Sequence, residues 1–145
     1  MTVDIDSYDK KILALLQADA RLTMAELGRQ VNLSQPAVTE RVRKLEAAQI
    51  ITGYHAQVSA EALGFGIRAL LRVGRCDFAR MKKLIEKTPE IRRAHNITGE
   101  DSWSIEITVR DVAHLDAVIS KFCELNETAT AIVLKTLISN APIKQ

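Results

Sequence analysis

"NLSQPAVTERVRKLE" occupies Asn32–Glu46, and its spacing decides how the N-terminal half of the chain is read. Val38, Val42 and Leu45 recur at i, i+4 and i+7, which is the period of one helix face. Ser34 stands where an N-cap belongs, since its hydroxyl can accept from a free backbone N–H two or three residues on. Pro36 falls in the first turn, where a missing N–H costs nothing. The spacing therefore predicts a helix running to about Ala48.

Two more helices are predicted upstream. Ser7–Ala18 carries an apolar stripe of Ile12, Leu13 and Leu16, with Asp6 and Asp9 at the end where the helix dipole favours anions. Asp19–Leu22 breaks that pattern. Thr23 is then an N-cap with Glu26 three residues on, the spacing of a capping box, and Leu27 and Val31 point inward. Asn32 and Leu33 make a tight turn into the quoted helix. Three helices, the last two joined by a short turn, give a helix-turn-helix.

Outward from the quoted helix, residues 50–66 change character. Their β-branched and aromatic residues and three glycines predict a strand and linker, with a short helical turn at 60–63. Beyond Gly66 the order is strand (67–75), helix (78–87), strand (91–98), strand (103–109), helix (112–125) and strand (128–139). That order, β-α-β-β-α-β, is a ferredoxin-like sandwich with two helices on one face of an antiparallel sheet. The fold class is α+β: a helix-turn-helix domain at 1–50, a strand and linker at 51–66, and the sandwich at 67–145. The bare sheet face, and the apolar side of Trp103–Val109, are expected to be hidden by a second subunit.

Composition narrows the function. With 47% hydrophobic and 26% charged residues, the 145-residue chain is ordinary for a globular protein. No apolar run approaches the roughly 20 residues of a membrane span. The acidic N-terminus lacks the pattern of a signal peptide, so a cytoplasmic, nucleoid-associated location is expected. Cys76 and Cys123 share no motif with His55, His95 or His114, so neither a metal nor a cofactor is expected. No Ser/His/Asp set, phosphate-binding loop or Gly-rich nucleotide motif is present, and an enzyme is not expected.

Net charge is only +2, but its distribution is uneven. Residues 1–60 carry seven basic and seven acidic side chains. The acids crowd the start, while Arg29, Arg41, Arg43 and Lys44 lie around the quoted helix. A local basic face on a nearly neutral molecule can follow phosphates. A recognition helix uses its first turns for base edges and its flanks for phosphates. Gln35, Thr39 and Glu40 are then candidates for base readout. Arg29, Arg41, Arg43 and Lys44 are candidates for the backbone, with Ser34 and Pro36 shaping the helix start. Glu40 has two readings: it can accept from a cytosine amino group, or it can orient Arg43 or Lys44 through an ion pair.

Three stretches, Asp6–Tyr54, "NITGEDSWSIEITV" (Asn96–Val109) and "TATAIVLKT" (Thr128–Thr136), together resemble the Lrp/AsnC family, the leucine-responsive or feast/famine transcriptional regulators. The resemblance covers essentially the whole chain. It implies a winged or plain helix-turn-helix domain that binds double-stranded DNA, joined to a ferredoxin-like domain that binds an amino-acid effector. It also implies a homodimer assembling to a tetramer or octamer. The effector loop would be Thr98, Gly99, Glu100, Asp101 and Ser102, with Thr130 brought close. Much of the family has Gly-Asp-Tyr-Asp-Tyr where this chain has Gly99-Glu100-Asp101-Ser102-Trp103, so the loop keeps its length and changes its chemistry. Two rival readings remain at this level: an architectural DNA-binding protein without an effector, and a ferredoxin-like small-molecule-binding oligomer.

Overall fold

A computed structural model describes residues 4–143. They form two compact units, one of residues up to Gln57 together with the segment from Ile138, the other Val58–Leu137.

The first unit holds α1 (Ser7–Ala18), α2 (Met24–Val31) and α3 (Gln35–Ala47). Each helix start is written in its own residues. Asp6 accepts from the backbone of Tyr8 and Asp9, and Asp9 reaches back to Asp6 N. Thr23 and Glu26 cap each other in the same way. Ser34 Oγ accepts from Ala37 N. The stripes then close a single core of Ile12, Leu13, Leu16, Leu27, Val31, Val38, Val42 and Leu45. Burying side chains of this size stabilises by about 1.5–3 kcal/mol each before the entropic cost of ordering is set against it.

The second unit holds β1 (Ile67–Val73), α4 (Phe78–Glu86), β2 (Ile91–Asn96), β3 (Trp103–Val109), α5 (Val112–Cys123) and β4 (Thr128–Ile132), preceded by a 3-10 turn at Glu61–Leu63. The four strands are antiparallel in the order β2-β3-β1-β4. This is the ferredoxin-like arrangement. Alternation puts Ala69, Leu71, Val73, Trp103, Ile105, Ile107 and Val109 on one face, where Met81, Leu115, Val118 and Phe122 of the helices cover them. Phe78 leans on Trp103, ring centroids 5.4 Å apart.

Four expectations need correcting. The apolar side of β3 is buried beneath this chain's own helices and asks nothing of a second subunit. The bare face is instead largely polar, with Arg68 and Arg72 of β1 and Ser104, Glu106 and Thr108 of β3 around Leu70. No strand forms between Ile50 and Gly66; residues 52–59 are exposed and find no pairing partner among the described residues. The last strand stops at Ile132, because beyond Val133 the backbone no longer follows β1. Finally, the division between the units at Gln57 falls inside the expected linker of 51–66, but the tail from Ile138, expected in the sandwich domain, groups with the helices. There Gln17 donates to Ile143 O and accepts from Ile143 N at 2.8 Å.

No helix among the described residues is long and apolar enough to cross a membrane.

Candidate nucleic-acid interface

The turn between α2 and α3 is built by two residues. Asn32 takes the left-handed conformation (φ 59°) as the cap of α2, and Leu33 N donates to Gly28 O at 2.9 Å. A Cβ on Gly28 would lie 2.7 Å from Leu33 O, so the chain can fold back this tightly only over a glycine. Gly28 is not among the residues that the sequence pattern singles out above. A glycine in the last turn of a strongly amphipathic helix is the signal that could have found it.

That turn presents the whole outward side of α3. Gln35, Pro36, Thr39, Glu40, Arg43 and Lys44 are exposed, as is Arg29 at the end of α2. Thr39 Oγ1 donates to Gln35 O at 2.9 Å, which uses its one hydroxyl donor and leaves the oxygen able to accept. Arg43 grips Glu40 through Nε (2.9 Å) and Nη2 (2.7 Å), and Lys44 Nζ stands 3.9 Å from the same carboxylate. The Arg43 guanidinium holds the Glu40 carboxyl below its usual range.

Arg41 is arranged differently. Its Nη1 donates to Asp9 Oδ1 and Asp6 Oδ2, both at 2.8 Å, and its guanidinium lies over the Tyr8 ring. These carboxylates hold its proton even more tightly than usual. Arg41 thus ties α3 to the N-terminal cap of α1, and its charge is already met. At the other end, Tyr54 OH donates to Glu46 Oε1 at 2.9 Å; burial, then that carboxylate, push the phenol up to about 12.

The second candidate site is the β2–β3 loop. Ser102 N donates to Val73 O, and Ser102 O accepts from Ile97 N and from the Asn96 side chain. This pins the loop to the end of β1, and it sets Asp101 beside Arg72, Oδ2 to Nη1 3.5 Å. Gly99 has φ +118°, a conformation that side chains rarely adopt. Among the described residues, the backbone N–H groups of Gly99, Glu100 and Asp101 donate to no acceptor. An acid, a guanidinium and three open N–H groups therefore share one small turn. Arg72 was missed from the sequence because it lies far from the loop along the chain. Thr98 and Glu100 are exposed on the same turn. Thr130 is not brought there within this chain: it pairs with Leu71, so alternation turns it to the helix-bearing face, away from Arg72.

Residues 5–46 match the AsnC-type helix-turn-helix domain, and residues 69–143 match the Lrp/AsnC ligand binding domain. The chain belongs to the Lrp/AsnC family. It is a helix-turn-helix transcriptional regulator that binds DNA. The family's HTH-type transcriptional regulator LrpC of Bacillus subtilis is 32% identical over 92% of this chain and 94% of its own length. The leucine-responsive regulatory protein of Rhizobium meliloti is 33% identical over 98% and 93%. Among solved Lrp/AsnC structures, Bacillus subtilis LrpC superposes with a TM-score of 0.89 (31% identity, 94% of this chain and 99% of that one). A transcriptional regulator of Neisseria meningitidis in complex with L-Met also gives 0.89 (27% identity, 97% and 96%).

Proposed function

We propose that this regulator reads double-stranded DNA with α3 and senses a free amino acid at the Thr98–Ser102 loop. The observation that carries the effector reading is the Arg72–Asp101 pair beside unbonded loop N–H groups. A zwitterion carries both charges within a few ångströms. Arg72 and the N–H groups suit its carboxylate, and Asp101 suits its ammonium. The similar Neisseria protein, solved with L-Met, supports the same ligand class. Glu100 is the competing acid, with no partner among the described residues.

On the DNA side, Gln35 and Thr39 face base edges from the first turn of α3. Lys44 and Arg29 reach phosphates from its flanks, while Ser34 and Pro36 set the helix start. Arg41 serves to fix α3 rather than to touch DNA. The protein acts in the cytoplasm on nucleoid DNA as a homodimer assembling to a tetramer or octamer. Support for association lies in what the protomer leaves uncovered. On the bare sheet face Leu70 is exposed, and beyond the end of β4 Leu134 and Leu137 are almost entirely so. A cavity of about 620 Å³ lies between that face and residues such as Leu63, Phe65 and Leu134. A second copy laid on this face would remove that apolar surface from water.

A thermal-shift screen of the twenty amino acids tests the effector, because a ligand of the native state raises apparent stability with the logarithm of its concentration over its Kd. The expected result is a shift for at least one amino acid, lost in Asp101→Ala and in Arg72→Ala, with DNA binding intact. No shift with any amino acid would remove the effector from the reading. Light scattering of the full chain tests assembly, and a monomer at micromolar concentration would contradict it.

A further inference from the structure

The line of α3 that points straight away from its core carries only two polar heads. With Val38, Val42 and Leu45 inward, a step of about 100° per residue puts Pro36, Glu40, Arg43 and Ala47 opposite them. All four are exposed. Pro36 and Ala47 offer no side-chain donor or acceptor. Glu40 and Arg43 do, and each is held by the other. Lys44 lies to one side of this line, where a phosphate wall of a major groove would pass, and Thr39 to the other.

The way Arg43 is held matters. Its Nε and Nη2 donate to the two oxygens of Glu40, at 2.9 and 2.7 Å. A guanidinium has five N–H donors in a fixed plane. This grip uses two and leaves three: both on Nη1 and one on Nη2. The free edge therefore lies on the side away from the carboxylate and still presents two parallel donors. Guanine offers two matching acceptors, O6 and N7, in the major groove.

We propose that Glu40 and Arg43 form one reading unit, in which Glu40 positions the guanidinium of Arg43 to take a guanine in the major groove. This inference rests on α3 being the helix that enters the groove, and it moves Arg43 from the phosphate set of the sequence analysis to the base set. Glu40 contributes twice. It fixes a long side chain whose freedom would otherwise be lost on binding. Its charge also repels phosphates at the groove edge, which disfavours escape of Arg43 to the backbone. The pair stays charged at neutral pH, since each partner stabilises the ionised form of the other. Lys44, 3.9 Å from Glu40 and off the central line, keeps its phosphate role.

The test uses the full-length protein and its variants Arg43→Lys and Glu40→Gln. Duplexes selected from a randomised pool are titrated by fluorescence anisotropy at several salt concentrations, each position being changed in turn. The unmodified protein should show at least one guanine whose replacement weakens binding roughly 5- to 150-fold, the range of one good bidentate contact. Arg43→Lys keeps the charge and loses the fork. It should flatten the preference at that position alone, with the salt slope and the affinity for unrelated duplexes within about twofold of the original. Glu40→Gln should weaken the same preference while binding to every duplex tightens, because an anion has left the groove. Full retention of the positional preferences in both variants would overturn the pairing. So would an Arg43→Ala variant that lowers the salt slope by about one unit and alters no position, since that is the behaviour of a phosphate contact. An unmodified protein with no salt-dependent duplex binding would refute the recognition helix itself. One that selects a motif indifferent to both variants would refute only the Glu40–Arg43 unit.

Discussion

The two units solve the same problem, a charged group held ready on the surface, over very different distances along the chain. On α3 the partners are neighbours in sequence: Glu40 with Arg43 and Lys44, Thr39 with the carbonyl of Gln35. In the sandwich the pairs that involve the strands and their loops are remote: Arg72 with Asp101, Arg68 with Glu106, Glu90 with His114; only Lys82 with Glu86, both on α4, is local among the ion pairs of the described residues. A helix repeats every 3.6 residues and brings its own near neighbours onto one face. A sheet does so only through register, which depends on where distant strands meet. The helical site therefore needs only its helix, while the loop site needs the whole sheet. Arg41 is the exception in the helical unit, since it joins α3 to Asp6 and Asp9 across the bundle.

The largest effect should come from the turn that presents α3. Gly28→Val places a branched side chain against the Leu33 carbonyl, which backbone movement alone can relieve. We expect a loss of about 2–4 kcal/mol, in the range of strained and overpacked sites, by denaturant melting. DNA affinity should fall with it. A stable, DNA-binding valine variant would show that the turn tolerates another path.

Next is the remote pair of the sandwich. His114 Nε2 meets Glu90 Oε1 at 3.0 Å, and hydrogen bonding to His114 holds the Glu90 carboxyl below its ordinary range despite burial. A carboxylate whose folded pKa is lowered adds stability above its unfolded value, near 4.5, and loses it as pH falls through the folded value. Glu90→Gln should thus cost about 1–2 kcal/mol at pH 7, as for a hydrogen bond to a charged group, and nothing once the carboxyl is protonated. Melting curves of both proteins from pH 7 down to pH 3 would settle it; a cost that does not change with pH would mean the pair is merely packed.

Arg41→Ala tests the exception. Its pairs with Asp6 and Asp9 are only partly shielded, so we expect about 1 kcal/mol of stability lost, less at high salt. The salt slope of DNA binding should stay as it was. A fall in that slope would return Arg41 to the phosphate contacts.

Lys44→Ala should have the smallest effect on the fold, within about 0.5 kcal/mol as for an exposed surface position. It should reduce the salt slope of binding by about 0.9, as one lost phosphate contact does. An unchanged slope would take the flank of α3 out of the interface.

Local chemistry explains how much was legible beforehand. Caps at Asp6, Thr23 and Ser34 and stripes of period 3.6 are written in adjacent residues, so the helices could be bounded to within about a residue. β3 could be bounded too, because its alternation is strict from Trp103 to Val109. The last strand could not. "TATAIVLKTLIS" looks equally extended throughout, yet only its first five residues form β4, and Val133 N makes the last bond to β1. The polar side of β3, Ser104, Glu106 and Thr108, follows from the same alternation, but that Arg68 and Arg72 stand opposite Thr108 and Ser104 needs the register.

The sequence by itself determined three capped helices, the tight turn between the last two, the order of strands and helices in the sandwich, and the residues that α3 turns outward. All of these follow from interactions within a few residues, which no later folding event can rearrange cheaply. Tertiary structure alone decided that Arg41 is spent on Asp6 and Asp9, that Thr130 faces away from the loop and that Arg72 stands against Asp101. Each of those depends on how helices pack or on the register of strands between segments far apart in sequence, and no local spacing encodes where two such segments will meet.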